Sequence, residues 1–309
     1  THAGITASVF PYFLCTDVDC ILSRDALTKM IQPVLNSSTQ VIAVGATMRM
    51  ANSCEINENG VITRVRPPRR IVPCFQEIEY LRSYLIGKMG WSFINAVPNV
   101  SGGLGLFDKS VAIEAGGYDP VSHAEDMDML LRMVAYMRDY NKKYKVAYIP
   151  VTTCWTEGPP NLSVLNKQRT RWGQGLIQMF FIHRKFLFNP KYGRVGMITL
   201  PYVFLFEFLA PIIEGLGFIV LFYLLLTKQV NFETAFVILG YIYLIGVTVS
   251  SLAIAFDLSV NKLYSKFREY IKLVLFSLVE IVLYHPFIVF FSLKGYIDFL
   301  ASRRLEWGT

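Results

Sequence analysis

Cysteine is scarce in this chain and follows no pattern. The five present, Cys15, Cys20, Cys54, Cys74 and Cys154, show none of the paired spacings that hold zinc, and their number is odd. A disulfide-stapled secreted scaffold is excluded, and reduced thiols in a cytosolic setting are expected. The first residues also lack the charged-then-apolar pattern of a secretory signal. Charge is depleted in the last third, where apolar residues dominate. A nucleic-acid-binding surface is missing too, despite a net charge of +7. The cations do not form a stripe; residues such as Arg184, Lys185, Lys191 and Arg194 sit beside apolar segments. That placement suits lipid headgroups and a cytoplasmic orientation, so nucleic acid is not an expected partner.

What is present divides in two. With 309 residues, 53% of them apolar or aromatic, the chain reads as a water-facing unit joined to a membrane unit. Val9 to Cys15 is a short aromatic-rich strand that ends in Asp17-Val18-Asp19. Ser23 to Leu35 reads as a helix capped by Ser23, and Val41 to Met50 as a strand. Asn57 to Gly60 gives a turn, Arg64 to Arg70 a basic loop with prolines, and Phe75 to Met89 has helical spacing. Ser122 with Glu125 three residues later forms a capping-box pattern before an apolar helical face. Alternating strand, helix and glycine-rich loop to about Pro150 predicts an α/β unit over residues 1–160.

Leu162 to Phe188 is a basic amphipathic helix suited to a membrane surface, and residues 161–195 form an interfacial segment. Three apolar stretches follow within 196–309, namely Ile198–Leu226, Phe232–Phe256 and Ile271–Leu293. Each exceeds the ~20 residues that cross a bilayer. Pro201, Glu207, Pro211 and Glu214 interrupt the first, so its leading half is expected to lie in the interface or re-enter. That would also reconcile three spans with Lys294, Arg303 and Arg304, which favour the cytoplasmic side.

Five short motifs carry chemistry. The carboxylates of Asp17 and Asp19 point the same way if extended, and suit Mg²⁺ or Mn²⁺ on a nucleotide diphosphate. Two nearby acids in a turn are usually only solvated. Glu125-Asp126 opens a helix, where Asp126 is placed to take a proton from an attacking hydroxyl. Gln168, Arg171 and Trp172 share a helix face, offering an amide, a guanidinium and an indole to a sugar phosphate. An interfacial Trp with snorkelling Arg explains the same residues. Ser101-Gly102-Gly103 and Gly116-Gly117-Tyr118-Asp119-Pro120 are turns that let backbone approach a ligand.

In this order the motifs resemble the processive glycosyltransferases of family 2, the group of cellulose, chitin, hyaluronan and poly-N-acetylglucosamine synthases. The bacterial poly-N-acetylglucosamine type is the nearest likeness, because Gln168-Arg169-Thr170-Arg171-Trp172 precedes a proline-containing membrane segment. The tail, with Glu280, Tyr284, Phe291 to Gly295 and Glu306-Trp307-Gly308, also fits. The resemblance implies a nucleotide-sugar transferase (GT-A-like) α/β domain lacking its N-terminal part, an interfacial helix, and a transmembrane bundle. It implies that Asp17 and Asp19 hold a divalent cation and that Asp126, beside Glu125, is the general base. Ser101, Gly102, Gly103, Gln168, Arg169, Arg171 and Trp172 would bind donor diphosphate and acceptor glycan. Partners would be a nucleotide-sugar such as UDP-GlcNAc or UDP-Glc, a growing polysaccharide and the bilayer. Family members carry the nucleoside-binding strands upstream of Asp-x-Asp, whereas few residues precede Asp17 here. A further segment or another chain is therefore expected to complete the donor site. Single-sugar transfer to a lipid, or an inert membrane subunit or transporter, are the alternatives.

Overall fold

The computed structural model describes the backbone of residues 2–306 and the side chains of 4–302. The tail residues Trp307 and Gly308, and the side chains of Arg303, Arg304 and Glu306, lie outside the described residues. The strands are β1 (Tyr12–Thr16), β2 (Ile21–Leu22), β3 (Val41–Met50), β4 (Glu55–Ile56), β5 (Ile62–Arg64), β6 (Leu104–Asp108) and β7 (Lys145–Thr156). Five of them form a mixed sheet in the order β1-β6-β3-β7-β2, with β3 and β7 parallel and the other pairs antiparallel. Every residue of β3 and β6 is buried, which explains why both read as apolar runs without alternation. β4 and β5 make a separate hairpin around the expected Asn57–Gly60 turn, where Gly60 takes φ +71°.

The helices are α1 (His2–Ala7), α2 (Ala26–Leu35), α3 (Ile71–Leu81), α4 (Met89–Phe93), α5 (Lys109–Glu114), α6 (Glu125–Asp139), α7 (Leu162–His183), α8 (Leu200–Val203), α9 (Leu209–Leu226), α10 (Phe232–Val260), α11 (Phe267–Leu283) and α12 (His285–Glu306). A π-helical stretch, Arg82–Lys88, joins α3 to α4, so residues 71–93 run as one helix. Two expected caps are not used. α2 begins at Asp25 rather than Ser23, whose hydroxyl instead donates to the Asp25 carboxylate at 2.7 Å. α6 begins at Ala124, and Ser122 accepts from the Ala124 N–H at 3.3 Å without forming the box. Glu125 is thereby released from capping. α7 starts cleanly because the Asn161 side chain accepts from the Val164 N–H at 3.0 Å, and a 3₁₀ turn, Arg184–Phe186, ends it.

Two helices, Val195–Leu226 and Phe232–Val260, are long and apolar enough to cross a membrane. The first contains π turns at Val195–Thr199 and Phe204–Phe208, yet stays one helix of 32 residues. The third stretch is the bent one, where α11 and α12 meet at 50° about Tyr284. Counted as one bent passage, this pair makes three.

The helix at 71–93 fastens the sheet to these apolar helices. Arg49, at the end of β3, is fully buried and donates to Glu77 of α3 at 2.5 Å, Asp257 of α10 at 2.7 Å and Tyr264 at 2.6 Å. The second Glu77 oxygen accepts the Met50 N–H at 2.8 Å. One turn further on, Arg82 grips Glu280 of α11 through both terminal nitrogens and reaches Ser250 of α10 at 2.7 Å. α7 seats on α12 by backbone contact, since a Cβ on Gly295 would stand 2.3 Å from the Thr170 carbonyl oxygen. Removing one member of a buried ion cluster leaves the others uncompensated, at about 3–5 kcal/mol. Arg49→Met should therefore lower the melting midpoint of the detergent-solubilised protein far more than Lys29→Met. The latter removes an exposed i,i+4 pair worth about 0.3–0.5 kcal/mol.

Candidate active site

β1 and β2 lie on opposite edges of the sheet, so the segment joining them crosses the ends of β6, β3 and β7. Asp17 and Asp19 occupy that crossing, with Thr16 Oγ1 donating to the Gly103 carbonyl at 3.1 Å and Thr156 Oγ1 to Asp19 at 3.3 Å. Ligand atoms of Asp17, Asp19 and Cys20 all fall within 4.8 Å of one another. Burial, and then the neighbouring Asp19, push the Asp17 carboxyl up. Two exposed carboxylates in mutual repulsion fit a hard divalent cation, which would relieve both.

The second acidic pair stands opposite. Asp126 accepts from the Gly102 N–H at 3.2 Å and the Asn99 amide at 3.4 Å, and its other oxygen accepts the Met127 N–H at 2.8 Å. The Ser101-Gly102-Gly103 turn separates the two pairs. A Cβ on Gly102 would stand 3.4 Å from Glu125 Oε1, and one on Gly103 3.4 Å from Asp17 Oδ2. Burial raises the Glu125 carboxyl, and the charges of Asp126 and Asp17 add to this. The first turn of α6 is fixed from below, where Asp128 bonds His183 at 2.7 Å and Arg132 at 2.5 Å. Arg132 also donates to the carbonyls of Ala115 and Gly117, so the Gly116-Gly117-Tyr118 segment serves as a turn that braces α6.

α7 closes the site, and its motif splits. Arg171 is exposed and near enough to Asp17 and Glu125 for its charge to draw both carboxyls down. Trp172 is 39% exposed. Gln168 accepts from the Gln76 amide at 2.9 Å. Arg169, expected at the diphosphate, is buried instead. Its guanidinium is held by Glu79 at 2.7 and 2.6 Å and by the Tyr284 hydroxyl at 3.2 Å, and lies 4.3 Å from the Trp172 ring centroid. It orients Trp172 and ties α7 to the bend between α11 and α12.

The sequence reading passed over residues on the 71–93 helix. Tyr80, Tyr84 and Lys88 recur every fourth residue, with the Tyr80 and Tyr84 rings 5.3 Å apart, and the charge of Asp19 reaches Tyr80 while that of Asp126 reaches Tyr84 and Lys88. Their spacing was the available signal, although spacing alone does not distinguish a site wall from a core face.

An α/β sheet with two opposed acid pairs, followed by apolar helices, defines the class, and the chain belongs to the family described as Glycosyl transferase family group 2, whose model matches residues 68–249. Among curated proteins, it is similar to a poly-β-1,6-N-acetyl-D-glucosamine synthase of Staphylococcus aureus (strain COL). The two are 29% identical over 197 residues, 62% of this chain and 42% of the relative. A protein of the same name from Staphylococcus epidermidis is 27% identical over 211 residues, 68% of this chain and 44% of the relative. The chain thus spans less than half the length of these relatives. Among solved structures, a mannosyltransferase from Pyrobaculum calidifontis in complex with GDP-Man and Mn²⁺ matches 97% of this chain and 65% of its own, at TM-score 0.49 and 14% identity.

The two arginines of the motif should separate experimentally. Arg169→Met should cost about 2–4 kcal/mol of stability by stranding Glu79. Arg171→Met should leave melting unchanged but weaken sugar transfer at least about tenfold, as expected for a lost charge-assisted contact. Paired melting and transfer assays check this.

Proposed function

We propose that the protein is a membrane-bound, inverting, metal-dependent glycosyltransferase that extends a β-linked polysaccharide from a nucleotide-sugar and passes it into the membrane. The observation that carries the reading is the convergence of Asp17 and Asp19 with Glu125 and Asp126 across one glycine turn, under the exposed Arg171 and Trp172. Residues 1–160 would hold the chemistry on the cytosolic side, 161–195 would lie at the interface, and 196–309 would cross the bilayer. The named function of the staphylococcal relatives favours UDP-GlcNAc over UDP-Glc as donor.

In this reading Asp17 and Asp19 would hold Mg²⁺ or Mn²⁺, which when bound would supply positive charge against the departing diphosphate. The hydrogen bonds from Gly102 and Asn99 aim Asp126 into the gap between the acid pairs. As the acceptor hydroxyl oxygen bonds to the anomeric carbon, its proton passes to Asp126. The bond from that carbon to the diphosphate oxygen breaks, and the nucleoside diphosphate leaves with the electron pair. Attack from the face opposite the leaving group converts an α-linked donor into a β-linkage. Arg171 adds positive charge beside the diphosphate, and Trp172 offers a flat apolar face to a pyranose ring.

Membranes carrying the protein should incorporate radiolabelled sugar from UDP-GlcNAc into a long product in the presence of Mg²⁺ or Mn²⁺. Asp126→Asn should reduce that incorporation at least about 1000-fold, at the upper end of general-base effects, while leaving UDP binding within about twofold. Polymerisation by Asp126→Asn would overturn the base assignment, and a lipid bearing one sugar would replace the polysaccharide reading.

A further inference from the structure

The helix at 71–93 carries a lysine where a membrane-proximal core has little use for one. Lys88 closes the π-helical stretch and is only 8% exposed. Its ammonium lies 4.9 Å from the Tyr84 ring centroid and 5.4 Å from that of Tyr148, and forms no ion pair among the described residues. A buried ammonium without a carboxylate on it is costly, and a structural lysine would normally be paired.

A second orphan lies beside it. The Tyr148 hydroxyl is buried and has no hydrogen-bond partner among the described residues. The Tyr148 ring reaches this position by lying over Gly45 on the neighbouring strand, where a Cβ would stand 2.1 Å from its Cε2. The Tyr84 hydroxyl contacts Met48 Sδ at 3.4 Å, and its ring centroid lies 5.9 Å from that of Tyr148. The charged groups that face Lys88 are Asp126 from α6 and Glu207 from the π turn before α9. Tyr84 and Tyr148 are the titratable neighbours from its own helix and from β7. Glu207 is exposed although it sits in an apolar helix, and Trp91 of α4 meets Tyr202 of the same apolar helix at 5.0 Å. Lys88 therefore stands where the acid cluster gives way to the membrane helices.

We propose that the Lys88 ammonium and the Tyr148 hydroxyl form the polar floor of a subsite for the terminal sugar of the acceptor, donating to its hydroxyl or amide-carbonyl oxygens while Asp126 faces the hydroxyl that reacts. This rests on the glycosyltransferase reading and gives the acceptor side of that site its own residues. A buried hydroxyl without a hydrogen-bond partner, and an ammonium that faces two aromatic rings and no carboxylate, are stabilised when a ligand oxygen arrives, and a sugar offers several. Tyr84 and Tyr148 supply aromatic surface to the same ligand.

Burial pushes the Lys88 ammonium down to about 8, against the opposing charges of Asp126 and Glu207. The cation therefore predominates at pH 7 and is lost as pH rises through 8, so acceptor affinity should fall over that interval.

The test uses membranes carrying the protein, with UDP-GlcNAc as donor and a short β-linked N-acetylglucosamine oligosaccharide as primer. Lys88→Met should raise the primer KM about tenfold, the loss expected for a hydrogen bond to a charged group. Donor KM and maximal rate should stay within about twofold. Tyr148→Phe should raise the primer KM about threefold to fivefold without lowering the melting midpoint, because its hydroxyl has no partner in the fold. In the unaltered protein the primer KM should rise between pH 7 and 9, and Lys88→Arg, which stays charged, should abolish that rise. A uniform fall in rate with primer KM unchanged would make Lys88 a packing residue. An inert Tyr148→Phe, or a primer KM that ignores pH, would likewise overturn the subsite. If the unaltered protein transfers no sugar, the glycosyltransferase reading fails first.

Discussion

A guanidinium with no access to water sets the terms for this molecule. Arg49 ends the central strand and is fully buried, so the fold must bring it countercharge from elsewhere. Glu77 comes from the helix at 71–93 and Asp257 from the end of a membrane helix. The two acids and Tyr264 can meet only if that long helix lies between the sheet and the apolar bundle. Once it lies there, its register is settled. Arg82 is directed at Glu280, Glu79 at Arg169, and Tyr80, Tyr84 and Lys88 into one stacked row on the side that the charges of Asp19 and Asp126 reach. One element therefore serves as a wall of the site and as the joint to the membrane helices.

The same helix shows how far the sequence could be read. The apolar run of β3 and the long membrane stretches were legible because each is uniform in character over its whole length, so local composition decides. The Asp-x-Asp turn and the Glu-Asp helix start were legible as motifs, and the structure does bring them together across Gly102 and Gly103. What could not be read was the division of labour inside Gln168–Trp172. Helical spacing says which residues share a face but not which face a buried carboxylate such as Glu79 will claim. Arg169 and Arg171 differ only in what happens to stand opposite them.

The irregularities of the apolar stretches have a similar cause. Proline and glutamate within residues 198–226 suggested a leading half that lies in the interface or re-enters. In the structure that stretch takes up the irregularity through π turns, which widen the helix locally without ending it. The actual bend, at Tyr284, has its proline two residues on, since Pro286 has no N–H to continue α11 and stands in the first turn of α12. A side-chain bond fixes it as well, because the Tyr284 hydroxyl donates to Glu79 at 3.0 Å beside the Arg169 guanidinium.

The seat of α7 on α12 differs in kind from the other joints. At Gly173 and Gly295 backbone meets backbone, with side chains excluded on both sides. Such a contact has no charge for dissolved ions to screen and no proton to gain or lose. The clusters around Arg82 and Glu280, by contrast, respond to ionic strength and acidity to the extent that water reaches them. Among the fastenings of cleft to bundle, the glycine contact is the one indifferent to the composition of the surrounding solution. The seat of α7 on α12 therefore stays the same when the medium changes, whereas the Arg169–Glu79 pair that orients Trp172 does not share that indifference.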